Sequence, residues 1–425
     1  MKEKLTYIIC GKCYDGIDDE LKEGWKILIR GRRIEAVGPN AERPESAEVI
    51  DLSDATVTPG MIDAHMHMDY FDWHHVRDEA FQNSEELKTI AIARCAKKTL
   101  KRGFTSVRHP GGITSNGYGV IAVKESIEKG YLEGSRIIAA ASLLSSPGSH
   151  GDLSQGFSRN PVLSAKMQAD RLTLGSGKDY FVHAVREEVK YGSDFIKIMA
   201  TGGFFTPNDT PLQKQLNDEE LEAIIRTAHE LGTTVTAHVY ASDQMQTLIG
   251  FGIDGMEHGA LMDAETASII EASGAYLVPT FCPYDEAVHY DAEKIALKQP
   301  EFRAKLELYK DRLIAGREEI RKSKIKLGYG TDFVANHQNY DSGWEYDAWM
   351  RSDMGAFRAL KAATKSNSEI LGIDDLVGTL EVGKYADISA WKRDLLNDNL
   401  ALLDCAFVMK EGVVYETEPS DDIDD

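Results

Sequence analysis

The chain reads as an α/β protein: a (β/α)8 TIM barrel carrying a small β-sandwich-like domain built from both chain termini. Three observations predict this. Short apolar runs recur through residues 57–374, each ending in or carrying one polar side chain that can bind a metal. Helical segments separate them, so that each βα step takes about 20 to 40 residues, the rhythm of such a barrel. Strand-like stretches with turn signals occupy the two ends of the chain instead.

Taken in order, residues 1–56 hold short strands at Tyr7–Ile9, Trp25–Arg30, Arg33–Val37 and Glu48–Leu52. Cys10-Gly11-Lys12-Cys13 has the spacing of a metal or redox motif, but no second pair completes it, and its flanks read as a hairpin. The first barrel strand is Val57-Thr58-Pro59-Gly60-Met61-Ile62-Asp63-Ala64-His65-Met66-His67. Side chains alternate along a strand, so His65 and His67 share a face about 7 Å apart, which is half of a metal site. The strand Ile137–Ala141 leads to the loop Pro147-Gly148-Ser149-His150-Gly151-Asp152. Phe195-Ile196-Lys197-Ile198-Met199 places a lysine in an otherwise apolar strand. A helix follows at Asn217–Leu231, opened by an Asn N-cap and acids in its first turn. Thr234-Val235-Thr236-Ala237-His238 and Gly255-Met256-Glu257-His258 each end in a histidine. Ile325–Asp332 ends in an aspartate. Residues 375–416 return to short strands, Ala386–Trp391 and Cys405–Met409, so the domains are 1–56 plus 375–416 and the barrel 57–374. The acidic run 417–425 reads as a disordered tail.

The ordered set His65-x-His67, Lys197, His238, His258 and Asp332 resembles the binuclear centre of the amidohydrolase superfamily. The words Pro59-Gly60-Met61-Ile62-Asp63, Ile196-Lys197-Ile198-Met199-Ala200-Thr201-Gly202-Gly203, Glu257-His258-Gly259, Gly330-Thr331-Asp332, Ala362-Ala363-Thr364 and Leu380–Asp387 are similar to its branch of Xaa-Pro dipeptidases and imidazolonepropionase-like proteins. The resemblance runs from about residue 5 to residue 415. It implies two divalent metal ions, zinc being expected, bridged by a carbamate formed from Lys197 and CO2. Four neutral histidines and one aspartate offset only one of four positive charges, and a bare lysine is a poor ligand because it is usually a cation. Desolvation on an apolar strand favours the neutral amine that carboxylation needs.

The chemistry expected is amide hydrolysis by a metal-bridging hydroxide, with Asp332 carrying its proton to the leaving nitrogen. In that branch the histidine matching His150 and the tyrosine matching Tyr240 contact the substrate carbonyl and carboxylate. Tyr240 lies two positions past His238 and so on its face. His337 in Asn336-His337-Gln338-Asn339 follows Asp332 closely enough to reach the pocket, and His74 and His75 read as rim residues. Two features depart from the branch: His109 stands where relatives usually carry an aspartate, and Cys282–Leu308 matches nothing assignable. The expected substrate is therefore small, with a free carboxylate: a dipeptide or N-acyl amino acid. A cyclic-amide or carbamate/urea hydrolase is the alternative, and a catalytically inactive scaffold would need ligands to be missing.

Lys+Arg 48 against Asp+Glu 69 give a net charge of -21, which argues against nucleic acid or an anionic membrane as partner. No apolar stretch approaches a membrane span, and the start, Met1-Lys2-Glu3-Lys4-Leu5, lacks a signal-peptide apolar region. Five scattered cysteines argue against a disulfide framework. A cytoplasmic homo-oligomer is expected.

Overall fold

The structure, a computed structural model, describes residues 4–69, 83–112, 118–152, 154–155, 159–169, 174–298, 300–333 and 339–420. Fifteen strands occur among them: β1 (Leu5–Cys13), β2 (Lys22–Glu23), β3 (Lys26–Arg30), β4 (Arg33–Gly38), β5 (Glu48–Pro59), β6 (Met61–Asp63), β7 (Phe104–Gly112), β8 (Arg136–Leu144), β9 (Phe195–Met199), β10 (Thr234–Val239), β11 (Gly255–His258), β12 (Tyr276–Val278), β13 (Ile388–Trp391), β14 (Cys405–Lys410) and β15 (Val413–Tyr415). They form two sheets.

The first contains β6 to β12 in sequential order, and every pairing in it is parallel. Its strands are buried on both faces, as expected of a parallel sheet covered by helices. The helices follow their sequence signals closely. The one over Asp218–Glu230 is N-capped by Asn217, whose side chain accepts from Glu220 N while Glu220 reaches back to the Asn217 N–H.

The curled sheet has seven strands where eight were expected. Residues 325–332 form only an isolated parallel bridge between Leu327 and Leu277. Their backbone nevertheless bonds to both edges of the sheet. Leu277 N donates to Lys326 O (3.0 Å) and Gly328 N to Leu277 O (2.8 Å) on one side. Ala64 N donates to Tyr329 O (2.8 Å) and Asp332 N to His65 O (2.8 Å) on the other. Gly330 makes that approach possible, since a Cβ there would lie 2.7 Å from the Cβ of His65.

The second sheet joins the chain ends. Its order is β15-β14-β13-β5-β1-β3-β4, with β2 paired to β1. The expected sandwich is thus one continuous sheet, and its apolar face closes on Ile8, Ile27, Ile29, Val57, Ile388, Ala390 and Met409. The two sheets meet where β5 runs into β6: Thr58 and Pro59 pair with Ser389 and Ile388, and Gly60 N donates to Asp387 O (2.8 Å). The tail expected to be free from residue 417 is held as far as Ser420. Lys101 Nζ donates to Glu418 Oε1 (2.6 Å), and Ser420 is buried. Residues 421–425 lie outside the described residues. No helix among those described is long and apolar enough to cross a membrane.

Candidate metal centre

Register puts the site together. Lys197 pairs with Thr236, and His238 pairs with both Met199 and Glu257. Side chains in register or two apart share a face, so Lys197, Thr236, His238 and Glu257 all point to the inside of the curl. His258, one residue past Glu257, would face away. Its backbone turns into the left-handed region (φ 71°), and Asp332 does the same (φ 45°). Such conformations are costly for non-glycine residues, and they cluster at sites where geometry is fixed by surrounding structure.

The structure brings His65, His67, Lys197, His238, His258 and Asp332 together, all buried. Asp332 Oδ1 lies 3.4 Å from His65 Nε2 and 3.3 Å from His67 Nε2, while Oδ2 lies 3.8 Å from His258 Nδ1. The imidazole rings of His65 and His258 are 5.2 Å apart, and those of His238 and His258 are 4.6 Å apart.

Each imidazole has one ring nitrogen engaged by a neighbour. His65 Nδ1 lies 2.7 Å from Glu257 Oε2, His67 Nδ1 2.9 Å from Gly111 O, His258 Nδ1 2.7 Å from Thr280 Oγ1, and His238 Nε2 3.3 Å from Gly202 O. In His65 and His67, whose Nε2 atoms face Asp332, a hydrogen donated from Nδ1 leaves the Nε2 lone pair facing inward, as metal binding requires. Burial holds His238 and His258 well below the ordinary imidazole range, so both are neutral. Asp332, which burial alone would raise, is held well below the usual carboxylate range by His65 and His67.

Lys197 is the exception. Its Nζ is buried, and no hydrogen-bond partner for it occurs among the described residues. Burial, with Arg108 adding to it, pushes the amine down to about 8, against the opposing pull of Glu257 and Asp332. A buried ammonium without partners is unfavourable. This orphaned amine beside four oriented imidazoles and a carboxylate fits a site that takes up metal ions and a further anionic ligand.

Several residues that build this site escaped the sequence reading. Glu257 binds His65, Thr236 Oγ1 (2.6 Å) and Arg108 Nη2 (2.6 Å), and it stays ionised against its burial because Arg108, Lys197 and His65 face it. Asp63 accepts from His65 N (3.0 Å), Thr331 Oγ1 (2.7 Å) and Ser342 Oγ (2.7 Å), tying β6 to the segment that bears Asp332. Thr280 is β-branched yet has φ 45°. An acid inside the apolar run Gly255–His258 was the available signal for Glu257; nothing local marks Thr280.

The other candidates divide. Tyr240 stacks on His258 (5.1 Å, 18°), and its hydroxyl is hydrogen-bonded to that of Tyr284, from the segment that matched nothing. Burial pushes both phenols well above their ordinary range. Two protonated hydroxyls share one hydrogen between them, which leaves the second hydrogen for another acceptor. His150 stacks on His238 (4.5 Å, 21°). His109 is buried beside His67 and Asp69, and burial pushes it down to about 4. His67 cannot serve that cluster and Asp332 at once, because its Nδ1 is engaged by Gly111 O. His74, His75 and His337 lie outside the described residues.

Comparison with known proteins gives a consistent picture. The model of the amidohydrolase family matches residues 56–417. The chain is 25% identical to an ochratoxinase of Aspergillus niger, over 93% of this chain and 82% of that protein. Among solved structures it is similar to a Xaa-Pro dipeptidase with methionine bound in the active site, at a TM-score of 0.85 and 28% identity over 97% of this chain and 100% of that one. A prolidase complexed with N-methylphosphonate-L-proline superposes with a TM-score of 0.84 and 27% identity, over 98% and 100% of the two chains.

Proposed function

The chain belongs to the amidohydrolase family, and from that premise we propose that it is a binuclear metal-dependent hydrolase of small amides bearing a free carboxylate, dipeptides or N-acyl amino acids. The observation that carries this reading is the buried amine of Lys197, without a hydrogen-bond partner among the described residues, beside five side chains that could ligate metal. Neutral Lys197 would add CO2 and release a proton, giving a carbamate that would supply the further anionic ligand the donor set otherwise lacks. Two divalent ions, zinc suiting the nitrogen and carboxylate donors, would be held by His65, His67, Lys197, His238, His258 and Asp332. They would supply a water of lowered pKa and a Lewis acid for the scissile carbonyl.

The protein's own groups then do the rest. Asp332, within reach of His65, His67 and His258, holds the proton taken from water and delivers it to the leaving nitrogen. The Tyr240–Tyr284 pair offers its unshared hydrogen to the substrate carbonyl. His150, at the edge of the same cluster, meets the carboxylate-bearing end. Arg108, Glu257 and Thr280 orient ligands and touch no substrate. The segment 325–332, bonded to both sheet edges, serves in this reading as the eighth stave that closes the barrel.

Neighbours that include a Xaa-Pro dipeptidase and a prolidase support the substrate class. A library of dipeptides and N-acyl amino acids, each paired with its carboxamide, tests it on zinc-loaded protein. Hydrolysis of acids and not of carboxamides is expected. Equal turnover of the two would shift the reading to a cyclic-amide or carbamate/urea hydrolase.

A further inference from the structure

Past the end of β12, residues 279–285 form a largely buried turn that serves the site at both of its ends. Near its start, Thr280 Oγ1 lies 2.7 Å from His258 Nδ1. Near its end, the Tyr284 hydroxyl is hydrogen-bonded to that of Tyr240. Thr280 is β-branched and holds φ 45°, a conformation that persists only where the surrounding structure enforces it.

The enforcing groups come from two helices distant in sequence. Glu345, in the helix Trp344–Arg351, is fully buried. Its Oε1 accepts from Phe281 N and its Oε2 from Cys282 N, both at 2.8 Å. Trp349 Nε1 donates to Oε1 as well, again at 2.8 Å. Buried backbone N–H groups need acceptors, and with β12 ended at Val278 a side chain supplies what a neighbouring strand would. Arg317, in the helix Pro300–Lys322, grips the turn as well: Nη2 donates to Phe281 O (3.0 Å) and Nη1 to Asp285 Oδ1 (2.8 Å). Burial pushes the Glu345 carboxyl up to about 8, against the pull of its three N–H donors and of Arg317. What the turn takes from Glu345 is two acceptor oxygens side by side, more than a charge.

We infer that Glu345 is a positioning residue: by holding the N–H groups of Phe281 and Cys282, it presents Thr280 to His258 and Tyr284 to Tyr240 as one unit. Its hydrogen bonds go to the turn and to Trp349, so it acts on the site only through the turn. This deepens the reading above and rests on it for what His258 and Tyr240 do. The stretch Cys282–Leu308, which matched nothing assignable, gains a task as the carrier of Tyr284. Loss of the clamp disturbs metal retention and turnover together, since both ends of the turn come loose.

Three variants separate this from plain loss of stability. Glu345→Met removes both acceptors. Glu345→Gln turns one of them into a donor facing an N–H, and keeps the test decisive where Glu345→Met fails to fold. Tyr346→Phe, in the same helix, deletes only the hydrogen bond from Tyr346 to Leu395 O and leaves the turn alone. Hydrogen exchange read by mass spectrometry, on the full chain with and without zinc, reports the turn directly. Residues 280–285 should exchange about tenfold or more faster in Glu345→Gln, and at the wild-type rate in Tyr346→Phe. Competition for zinc with a chromophoric chelator reports the His258 end. Glu345→Gln and Thr280→Val should each weaken the less tightly held zinc about tenfold or more, and the double variant should bind no more weakly than the weaker single. The loss of kcat/KM for dipeptides in Tyr284→Phe should likewise shrink to little in the Glu345→Gln background. Wild-type exchange of residues 280–285 in Glu345→Gln would overturn the clamp, and so would losses that multiply in the double variants. A wild type that holds no zinc, with the turn loosening as expected, would count against the metal reading and leave the clamp supported by the exchange.

Discussion

Two buried lysines, one in each sheet, differ in little except their neighbours. Lys197 lies in β9 of the parallel sheet and Lys410 in β14 of the composite sheet, and both are almost wholly enclosed. Burial pushes both amines down to about 8. Lys410 donates to Gly134 O at 2.7 Å and faces Asp387, so its place in the fold is complete as it stands. Lys197 has no hydrogen-bond partner among the described residues. Desolvation alone thus does not mark a functional lysine; desolvation without satisfaction does, because an orphaned buried polar group persists only where something else repays its cost.

The sharpest way to break this comparison is to remove each amine. Lys197→Ala should fall to the hydrolytic rate of metal-free protein, while Lys410→Met should hydrolyse the same dipeptide at close to the wild-type rate. Comparable losses in steady-state assays would erase the distinction. Next in size is the partner across the site from Lys197. Asp332→Asn should keep its fold by circular dichroism and lose on the order of 10² to 10⁴ in kcat, the scale of general acid–base help. Wild-type turnover there would remove Asp332 from the proton path.

Smaller effects belong to groups that touch only substrate. Tyr240→Phe and His150→Ala should each lower kcat/KM for dipeptides by about tenfold or more, roughly 1.4 kcal/mol, with metal content unchanged. A loss of metal in either variant would place that residue in the centre itself.

The smallest effect sharpens the structural side. Lys410 has a folded-state pKa of about 8 against an ordinary 10.5, so between those values the unfolded chain binds more protons than the folded one. Stability from this group therefore rises with pH across that window and is unchanged below it. Between pH 8 and pH 10, urea unfolding of wild type should gain about 1 kcal/mol or more relative to Lys410→Met. An equal response in the two proteins would show that Lys410 titrates as if exposed.

Much of the candidate centre could be read from residues 57–332 because each candidate ligand lies in or at the end of an apolar run, and alternation places Lys197 and His238 on one face. His65, His67, Lys197, His238, His258 and Asp332 are all buried, and His258 and Asp332 join the others only through left-handed backbone turns that no local pattern announces. What sequence could not show depends on contacts between distant segments. Glu257 gains its partners only when β11 registers with β10 and β6 lies across the curl. The stretch 325–332 looked like a strand from its composition, yet it bonds to its neighbours in short patches because Gly330 must pass against His65. Thr280 and Tyr284 act through tertiary partners, and nothing in their own neighbourhoods announces it.

The most direct test of the account is the metal content of wild type and Lys197→Ala, reconstituted identically with zinc and bicarbonate, dialysed, and measured by elemental analysis. The account expects two zinc ions per wild-type chain and no more than one in the variant. A wild type that saturates at one ion or fewer, or a variant that still holds two, would contradict it.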